Sequence, residues 1–213
     1  MPGHRSLGPA AQKTSLIAAE RDAAQRQPWQ AALRGLDPQR LVFLDETATP
    51  TTLTRRRARA PRGQRAVGRV PHRRWQAVTL IASLSLDGMG AAMSLEGAVT
   101  RESFHAYVEQ ALVPSLVPGQ IVVLDNLAVH KSERAAECLK RQGAWFLFLP
   151  AYSPDLNPIE LAFAKLKQHL RRVAARTYAS VVAATGPALD AITPADAAAF
   201  FAHCGYGLPG QLL

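Results

Sequence analysis

The sequence predicts an α/β fold built on a five-stranded mixed sheet with helices on both faces. Five short apolar runs have the length and composition of buried strands, and helical patterns separate the later ones. The predicted order is strand, strand, strand, helix, strand, helix, strand, helix. An antiparallel meander followed by right-handed crossovers produces a mixed sheet with this order of elements.

The first three strands are predicted to form the meander. Residues 40–44 are a short apolar run with β-branched members, which is typical of a buried strand. Residues 76–86 and 89–95 flank Asp87-Gly88, a dipeptide typical of a hairpin turn. We therefore expect the second and third strands to be antiparallel neighbours.

The later strands are predicted to alternate with helices. Thr100 is a suitable helix N-cap, and the chain after it carries apolar residues at helical spacing: Phe104, Tyr107, Val108, Ala111 and Leu112. Strands are predicted over 121–124 and 145–149. Between them, a helix over 132–142 is expected to end at Gly143, because glycine readily adopts the left-handed conformation that follows a helix.

Length and composition are those of a single globular core. The chain has 213 residues, and its apolar fraction of 48% is ordinary for a globular domain. No apolar run approaches the roughly 20 residues that a membrane span needs, and no signal segment follows the N-terminus. Cys138 and Cys204 show no metal-ligand spacing. These features predict a cytoplasmic protein with no membrane partner.

The positive charge of the chain is concentrated in one segment. The formal net charge is +9, and no acidic residue occurs from Thr47 to Leu86. This stretch contains nine arginines and no lysine: Arg55, Arg56, Arg57, Arg59, Arg62, Arg65, Arg69, Arg73 and Arg74. Proline and glycine interrupt it, so a long loop is predicted over 54–75. A run of charge is often only a solvated segment, but the planar guanidinium fork suits phosphate, which favours a nucleic-acid partner.

Carboxylates follow two of the predicted strands. Asp45 comes directly after the first strand and Asp125 directly after the fourth. If those strands are parallel neighbours about 4.8 Å apart, the two side chains can share one ion at the carboxyl edge of the sheet. Glu160 lies on the first turn of a helix that begins at Pro158, above the same edge. Three clustered carboxylates can hold divalent metal ions and cleave phosphodiester bonds.

Two alternatives apply to these acids. With Asn157 as N-cap and Pro158 at the first helical position, Glu160 occupies the reciprocal position of a capping box, and that spacing alone favours a cap over a ligand. The two strand-end aspartates favour a ligand, and the two roles are compatible. Glu46 competes with Asp45, but side chains alternate along a strand, so only one of them can face Asp125, and we choose Asp45.

Three motifs carry a resemblance to a known family. They are Leu44-Asp45-Glu46-Thr47, the run from Val123 to Lys131, and the run from Leu149 to Glu160, which contains Ser-Pro-Asp-Leu-Asn-Pro-Ile-Glu. Together they resemble the catalytic domain of bacterial insertion-sequence transposases of the mariner-like superfamily, and specifically the insertion-sequence 630 family. The 34 residues between Asp125 and Glu160 match the spacing of that superfamily. The resemblance extends from about Lys13 to Gly207.

This resemblance implies an RNase H-like fold and cut-and-paste DNA transposition with two Mg²⁺ or Mn²⁺ ions. By motif, the metal-binding and catalytic triad would be Asp45, Asp125 and Glu160. The implied partners are DNA, comprising the transposon ends and a target that is commonly a TA dinucleotide, and a second copy of the chain in a homodimer on DNA.

Supporting roles are assigned to two further groups of residues. Residues in or beside the matched motifs are predicted to support the site: Asn126, His130, Asp155 and Asn157. Of these, His130 could orient a phosphate or a water molecule, Asp155 and Asn157 are expected to build the turn, and Asp155 is also a minor candidate for a metal ligand. The predicted DNA contacts are Arg55, Arg56, Arg57, Arg59, Arg62, Arg65 and Lys167.

The predicted organisation is a tail or linker over 1–38, an RNase H-like catalytic domain over 39–207 and a short tail over 208–213. Nothing in 1–38 indicates two packed recognition helices, which leaves three alternatives: a catalytic half whose partner is a separately encoded helix-turn-helix half, a frameshift product, or a truncated remnant. Two functions compete: an active DDE strand-transfer enzyme, and a catalytically idle remnant that binds DNA or a full-length transposase. An aspartic protease is excluded, because the chain contains no Asp-Thr-Gly or Asp-Ser-Gly triplet.

Overall fold

The predicted five-stranded mixed sheet is confirmed. The computed structural model describes residues 18–19, 21–33, 35–55, 57–70 and 76–207. Its strands are β1 (Leu41–Pro50), β2 (Ala77–Ser85), β3 (Gly88–Glu96), β4 (Ile121–Leu124) and β5 (Trp145–Phe148). They lie in the order β3-β2-β1-β4-β5, with the first three antiparallel and with β1, β4 and β5 parallel.

The first strand is longer than predicted. The sequence placed its end at Leu44, but β1 continues to Pro50 because it pairs with β2 from Phe43 opposite Leu84 to Pro50 opposite Ala77. Its parallel pairing with β4 stops at Phe43 opposite Val123. Asp45 is therefore not at a strand end. It lies inside β1, just beyond the point at which β1 loses its pairing with β4.

Helices cover both faces of the sheet. The described helices are α1 (Ala23–Leu33), α2 (Arg101–Tyr107), α3 (Val113–Ser115), α4 (Glu133–Arg141), α5 (Pro158–Val173), α6 (Tyr178–Asp190) and α7 (Pro194–His203). One core packs α1, α5, α6 and α7 on the face that presents Leu41 and Phe43. The other packs α2 and α4 on the face that presents Val42 and Leu44. The two cores follow from the alternation of side chains along β1.

The predicted helix after Thr100 is present, with one irregularity. Thr100 caps α2 through a capping box with Ser103, and Phe104, Tyr107 and Val108 are fully buried. Between α2 and α3 the chain forms a π-helical segment, Val108–Leu112, which the sequence pattern did not indicate. On the same face, α4 is capped by Ser132 and followed by Gly143 with φ +75°, as predicted.

Helices at the two ends of the described chain complete the core. The C-terminal helices α6 and α7 were not predicted individually, and each begins with a threonine capping box, at Thr177 and Thr193. In α1, which lies in the segment assigned to a tail or linker, Trp29 is buried in the core and Arg26 is also buried. Among the described residues, no helix is both long and apolar enough to cross a membrane.

Candidate active site

The three candidate catalytic carboxylates line one cleft. Asp45 from β1, Asp125 from the end of β4 and Glu160 from the first turn of α5 surround a space of about 390 Å³. The remaining wall is largely the segment from Leu149 to Asn157, which connects β5 to α5. The cleft therefore lies at the edge of the sheet where the parallel strands β4 and β5 end, as open α/β sheets favour.

Asp45 is held by two hydrogen bonds. The backbone N–H of Glu46 donates to its Oδ1 at 2.7 Å, and the side-chain amide of Asn157 donates to its Oδ2 at 2.7 Å. Burial raises the pKa of Asp45 to about 7, against the lowering effect of the backbone N–H. The negative charges of Glu160, Asp125 and Glu46 add to the rise. The site thus concentrates negative charge that a cation would neutralise.

Asn157 does not cap α5. It occupies the N-cap position, but its side chain makes no capping hydrogen bond, so the capping box with Glu160 is wrong. The hydrogen bond from its Nδ2 to Asp45 instead orients the side chain toward β1, and its Oδ1 accepts from no N–H group of the first turn. The Oδ1 atom of Asn157 is buried and has no hydrogen-bond partner among the described residues. Because a buried acceptor without a partner is costly, this oxygen suits a ligand in the cleft.

His130 bridges two carboxylates. Its Nδ1 lies 2.7 Å from Oδ1 of Asp125, and its Nε2 lies 2.8 Å from Oε1 of Glu46. Burial acts to lower the pKa of His130, but the hydrogen bonds and charges of Asp125 and Glu46 outweigh it and raise the pKa to about 10. Both ring nitrogens are therefore donors at neutral pH. With a side chain only 1% exposed, His130 orients Asp125, and its role in orienting a phosphate or a water molecule stays a prediction.

Asp155 serves the fold and lies outside the set of residues that line the cleft. Both its oxygens accept hydrogen bonds from Arg26 of α1, at 3.1 and 2.7 Å, and Arg21 adds a third contact at 3.0 Å. Partial burial acts to raise the pKa of Asp155, but these arginines outweigh it and lower the pKa. The hypothesis that Asp155 ligates a metal does not fit this arrangement. The ion pair instead ties α1 to the turn that leads to Asn157.

Some residues that shape the site were not found from the sequence. The hydroxyl of Tyr206 donates to the carbonyl of Leu156 at 2.6 Å, which holds the same turn from the C-terminal side. Tyr206 also packs on Phe43 with ring centroids 4.9 Å apart. At the rim of the cleft, Tyr152 has φ +53°, a conformation that tyrosine rarely adopts. The contacts of Tyr206 have no local sequence signal, because the partners are distant along the chain.

The donor set fits a hard divalent cation. The cleft offers carboxylate oxygens and the amide oxygens of Asn126 and Asn157, which are the kinds of ligand that Mg²⁺ and Mn²⁺ prefer. Within the described ranges, however, no three acidic, histidine or cysteine side chains are already gathered around one point. Asp45 and Asp125 are instead engaged with Asn157 and His130. Glu160 is the exposed member of the three carboxylates, so its side chain would turn most readily toward a cation.

The basic residues fall into two groups. Lys167 and Glu160 line the same depression on α5, as their spacing predicted. Arg55 reaches the end of α5, where its guanidinium lies 3.5 Å from the carbonyl oxygen of Arg172. The other described arginines of the predicted set are exposed on a segment without regular structure: Arg57, Arg59, Arg62 and Arg65. Arg56 lies outside the described residues. Asn126 is exposed and lines the cleft.

Comparison with known proteins identifies the family. The sequence profile of the family described as DDE superfamily endonuclease matches residues 40–181, which is most of the chain. This protein belongs to the DDE superfamily endonuclease family. The matched range contains Asp45, Asp125 and Glu160. No curated protein matches the chain.

Solved structures support the fold of this DDE superfamily endonuclease. The Mos1 transposase paired-end complex with left transposon end superposes with a TM-score of 0.71 at 18% identity, over 92% of this chain and 64% of that chain. The Mos1 mariner paired-end complex with Mn gives 0.69 at 17%, over 93% and 63%. The Mos1 catalytic domain with Raltegravir and Mg gives 0.59 at 15%, over 87% and 94%. The fold is thus RNase H-like, and the chain spans under two thirds of the Mos1 transposase in the paired-end complexes.

Proposed function

We propose that this protein is the catalytic domain of a transposase that cleaves and joins DNA strands with two bound Mg²⁺ or Mn²⁺ ions, in cut-and-paste transposition. The observation that carries the proposal is the single cleft shared by Asp45, Asp125 and Glu160. Its carboxylates suit divalent cations, and the chain belongs to an endonuclease family. Mos1, which has the same fold, has been solved with Mn and with Mg.

In this proposal Asp45, Asp125 and Glu160 hold the metal ions. Bound divalent ions would lower the pKa of a water molecule or of a DNA 3′-hydroxyl and stabilise the charge that develops on the phosphate. The chain's own residues orient the ligands. Asn157 and the Glu46 backbone fix both oxygens of Asp45, and His130 fixes Oδ1 of Asp125. No side-chain nucleophile is required, because water or a DNA 3′-hydroxyl would attack the phosphorus, break its bond to a 3′-oxygen of the strand and release that oxygen as a new 3′-hydroxyl.

The proposed partners follow from the charge and the family. DNA is the substrate, with transposon ends and a TA target, and a homodimer on DNA and a separately encoded helix-turn-helix half are proposed in addition. The motif string from Ser153 to Glu160 supports an insertion-sequence 630 member in a bacterial cytoplasm.

A nicking assay tests the activity: the purified chain should convert supercoiled plasmid to the open-circular form with Mn²⁺, and EDTA should stop it. Absence of nicking with Mn²⁺ and with Mg²⁺ would contradict the enzyme.

The idle remnant is the second candidate, and one observation favours it. No ready-made group of three metal-binding side chains occurs in the described parts of the chain. A remnant would bind DNA with the same affinity whether or not metal is added. An enzyme would bind metal at the cleft even before DNA is supplied, so metal binding by the DNA-free protein separates the two.

Metal binding should depend on pH. Because the pKa of Asp45 is about 7 when folded and 3.8 is its ordinary value, the metal-free protein should lose stability as the pH rises from about 4 to 7. A cation competes with the proton on Asp45, so saturating Mn²⁺ should raise the melting temperature by about 5 °C at pH 8 and by far less at pH 5.5. Differential scanning fluorimetry of the parent and of Asp45→Asn measures this. An equal rise in the variant would place the metal elsewhere.

The arginine-rich loop should contribute to DNA affinity through charge. Neutralising Arg55, Arg56 and Arg57 together to glutamine is expected to flatten the dependence of log affinity on log salt concentration, by about 0.9 for each phosphate that the variant no longer neutralises. Fluorescence anisotropy with a labelled duplex across a salt series measures the slope. An unchanged slope would show that these three arginines face solvent in the complex.

A further inference from the structure

Two depressions follow the cleft along α5, and each shares a lining residue with its neighbour. The first, of about 280 Å³, is lined by Glu160, Phe163, Ala164, Lys167 and Arg171. The second, of about 660 Å³, is lined by Arg55, Lys165, Gln168, His169, Arg171, Arg172 and Ala191. Glu160 belongs to both the cleft and the first depression, and Arg171 belongs to both depressions. We call the two depressions together the α5 groove.

The spacing of the residues places the depressions one after the other along α5. Lys167 and Arg171 follow Glu160 by seven and eleven residues along α5, and this spacing keeps the three on one side of the helix. Gln168 and Arg172 lie on the neighbouring side of the helix and line the second depression. At 1.5 Å per residue, Arg171 lies about 16 Å along the helix axis from Glu160.

The charge of the groove is positive and largely uncompensated. Glu160 is the only acidic residue that lines either depression within the described residues. Lys165 is neutralised, because it pairs with Asp196 at 2.5 Å. The guanidinium Nε of Arg171 is buried and has no hydrogen-bond partner among the described residues. A buried guanidinium donor with no acceptor is costly, which favours an anionic or polar partner beside Arg171.

The arginine-rich loop is anchored at the far end of this groove. The guanidinium of Arg176 donates to the carbonyl of Leu53 at 2.7 Å, which holds the beginning of the loop against the end of α5. Arg55 follows directly and reaches the carbonyl oxygen of Arg172. The groove thus connects the carboxylate cleft at one end to the most basic segment of the chain at the other.

We propose that the α5 groove is a binding site for the sugar-phosphate backbone of DNA, in which Lys167, Arg171, Arg172 and Arg55 contact successive phosphates leading away from the carboxylate cleft. This rests on the proposed function only in that DNA is the substrate. Phosphates on one strand of B-DNA advance about 3.4 Å along its axis, so Arg171 would lie about five nucleotides from the phosphate at the metal site. The guanidinium groups suit phosphate oxygens, and these contacts carry no sequence preference.

The test is the salt dependence of DNA binding without catalysis. The full chain is titrated into a labelled DNA duplex in EDTA, and binding is followed by fluorescence anisotropy. The titration is repeated at NaCl concentrations from about 50 to about 300 mM, where counterion release governs the affinity. Arg171→Gln and Arg172→Gln are each expected to reduce the slope of log affinity against log salt by about 0.9, and together by about 1.8. Arg171→Lys keeps the charge and should retain most of the slope.

Arg141→Gln is the matched control. Arg141 is an exposed arginine near the end of α4, on the opposite face of the sheet, where it pairs with Glu137 at 3.8 Å. Its variant should keep the parental slope. An unchanged slope in Arg171→Gln and Arg172→Gln, with melting temperatures equal to that of the parent, would overturn the proposal, as would an equal reduction in Arg141→Gln. If Arg171→Gln unfolds, Arg172→Gln decides, because Arg172 is exposed.

The outcome is separable from the fate of the catalytic proposal. Binding is measured in EDTA, so the groove can be confirmed in a chain that never nicks DNA. Conversely, if the chain nicks DNA while both glutamine variants keep the parental slope, the proposed enzymatic function stands and the proposed DNA-binding role of the α5 groove is contradicted.

Discussion

Replacing Asp125 with asparagine is expected to abolish Mn²⁺-dependent nicking of duplex DNA, with a loss of at least about 100-fold. The change keeps the shape of the side chain and removes the negative charge that, in our proposal, binds the metal ions. The loss of activity should exceed the roughly 10- to 100-fold that is typical when a residue orienting a metal ligand is replaced, because Asp125 is itself a proposed ligand. Since the carbonyl oxygen of the new amide can still accept from His130, the local structure should survive.

The same substitution at Asp87 provides the control for that experiment. Asp87 lies in the turn between β2 and β3 and is not a lining residue of the cleft. Asp87→Asn should nick like the parent, and Asp125→Asn should stay folded at the assay temperature and match the parent in DNA affinity measured in EDTA. Parental nicking by Asp125→Asn would show that the carboxylate cluster is not the catalytic site.

Replacing Asn157 with alanine is expected to weaken metal binding by about 10- to 100-fold. Asn157 donates to Oδ2 of Asp45 at 2.7 Å, and its removal leaves a proposed metal ligand free to rotate. It also removes the buried Oδ1, which has no protein partner among the described residues. The Mn²⁺ concentration that gives half-maximal nicking should rise accordingly, while the maximal rate at saturating Mn²⁺ should fall less.

Asn126 offers a comparison from the same cleft. It is the other asparagine in the chain, it is exposed, and its side chain makes no hydrogen bond within the described structure. Asn126→Ala should therefore raise the Mn²⁺ requirement less than Asn157→Ala does. Equal requirements in the two variants would contradict a specific role of Asn157 in orienting Asp45.

Local patterns predicted the parts of the fold that depend on local chemistry. The strand over 121–124 and the helix that ends before Gly143 have the predicted bounds within about one residue, because apolar runs and the left-handed glycine act on neighbouring residues. The extension of β1 through Thr47 and Thr49 was missed, since these polar residues are in the strand only because β2 pairs with them. The alanine-rich helices α6 and α7 carry weak periodicity, and their threonine caps were the available signal.

The candidate site divides in the same way. Alternation placed Asp45 and Glu46 on opposite faces, and the structure has Asp45 in the cleft and Glu46 on His130. Long-range partners were invisible in the sequence: Asn157 lies 112 positions from Asp45, and Asp155 lies 129 positions from Arg26. Local rules therefore proposed a cap for Asn157, whereas a tertiary contact decides its role.

The position of Asp45 within β1 makes the three proposed ligands mechanically unequal. Asp45 lies in the antiparallel ladder opposite Ala82, and both its oxygens are already hydrogen-bonded. Asp125 follows the last residue of β4, and Glu160 projects from the first turn of a helix. If the three carboxylates hold cations, any adjustment to them would fall first on the exposed side chain of Glu160, because hydrogen bonds already hold Asp45 and Asp125.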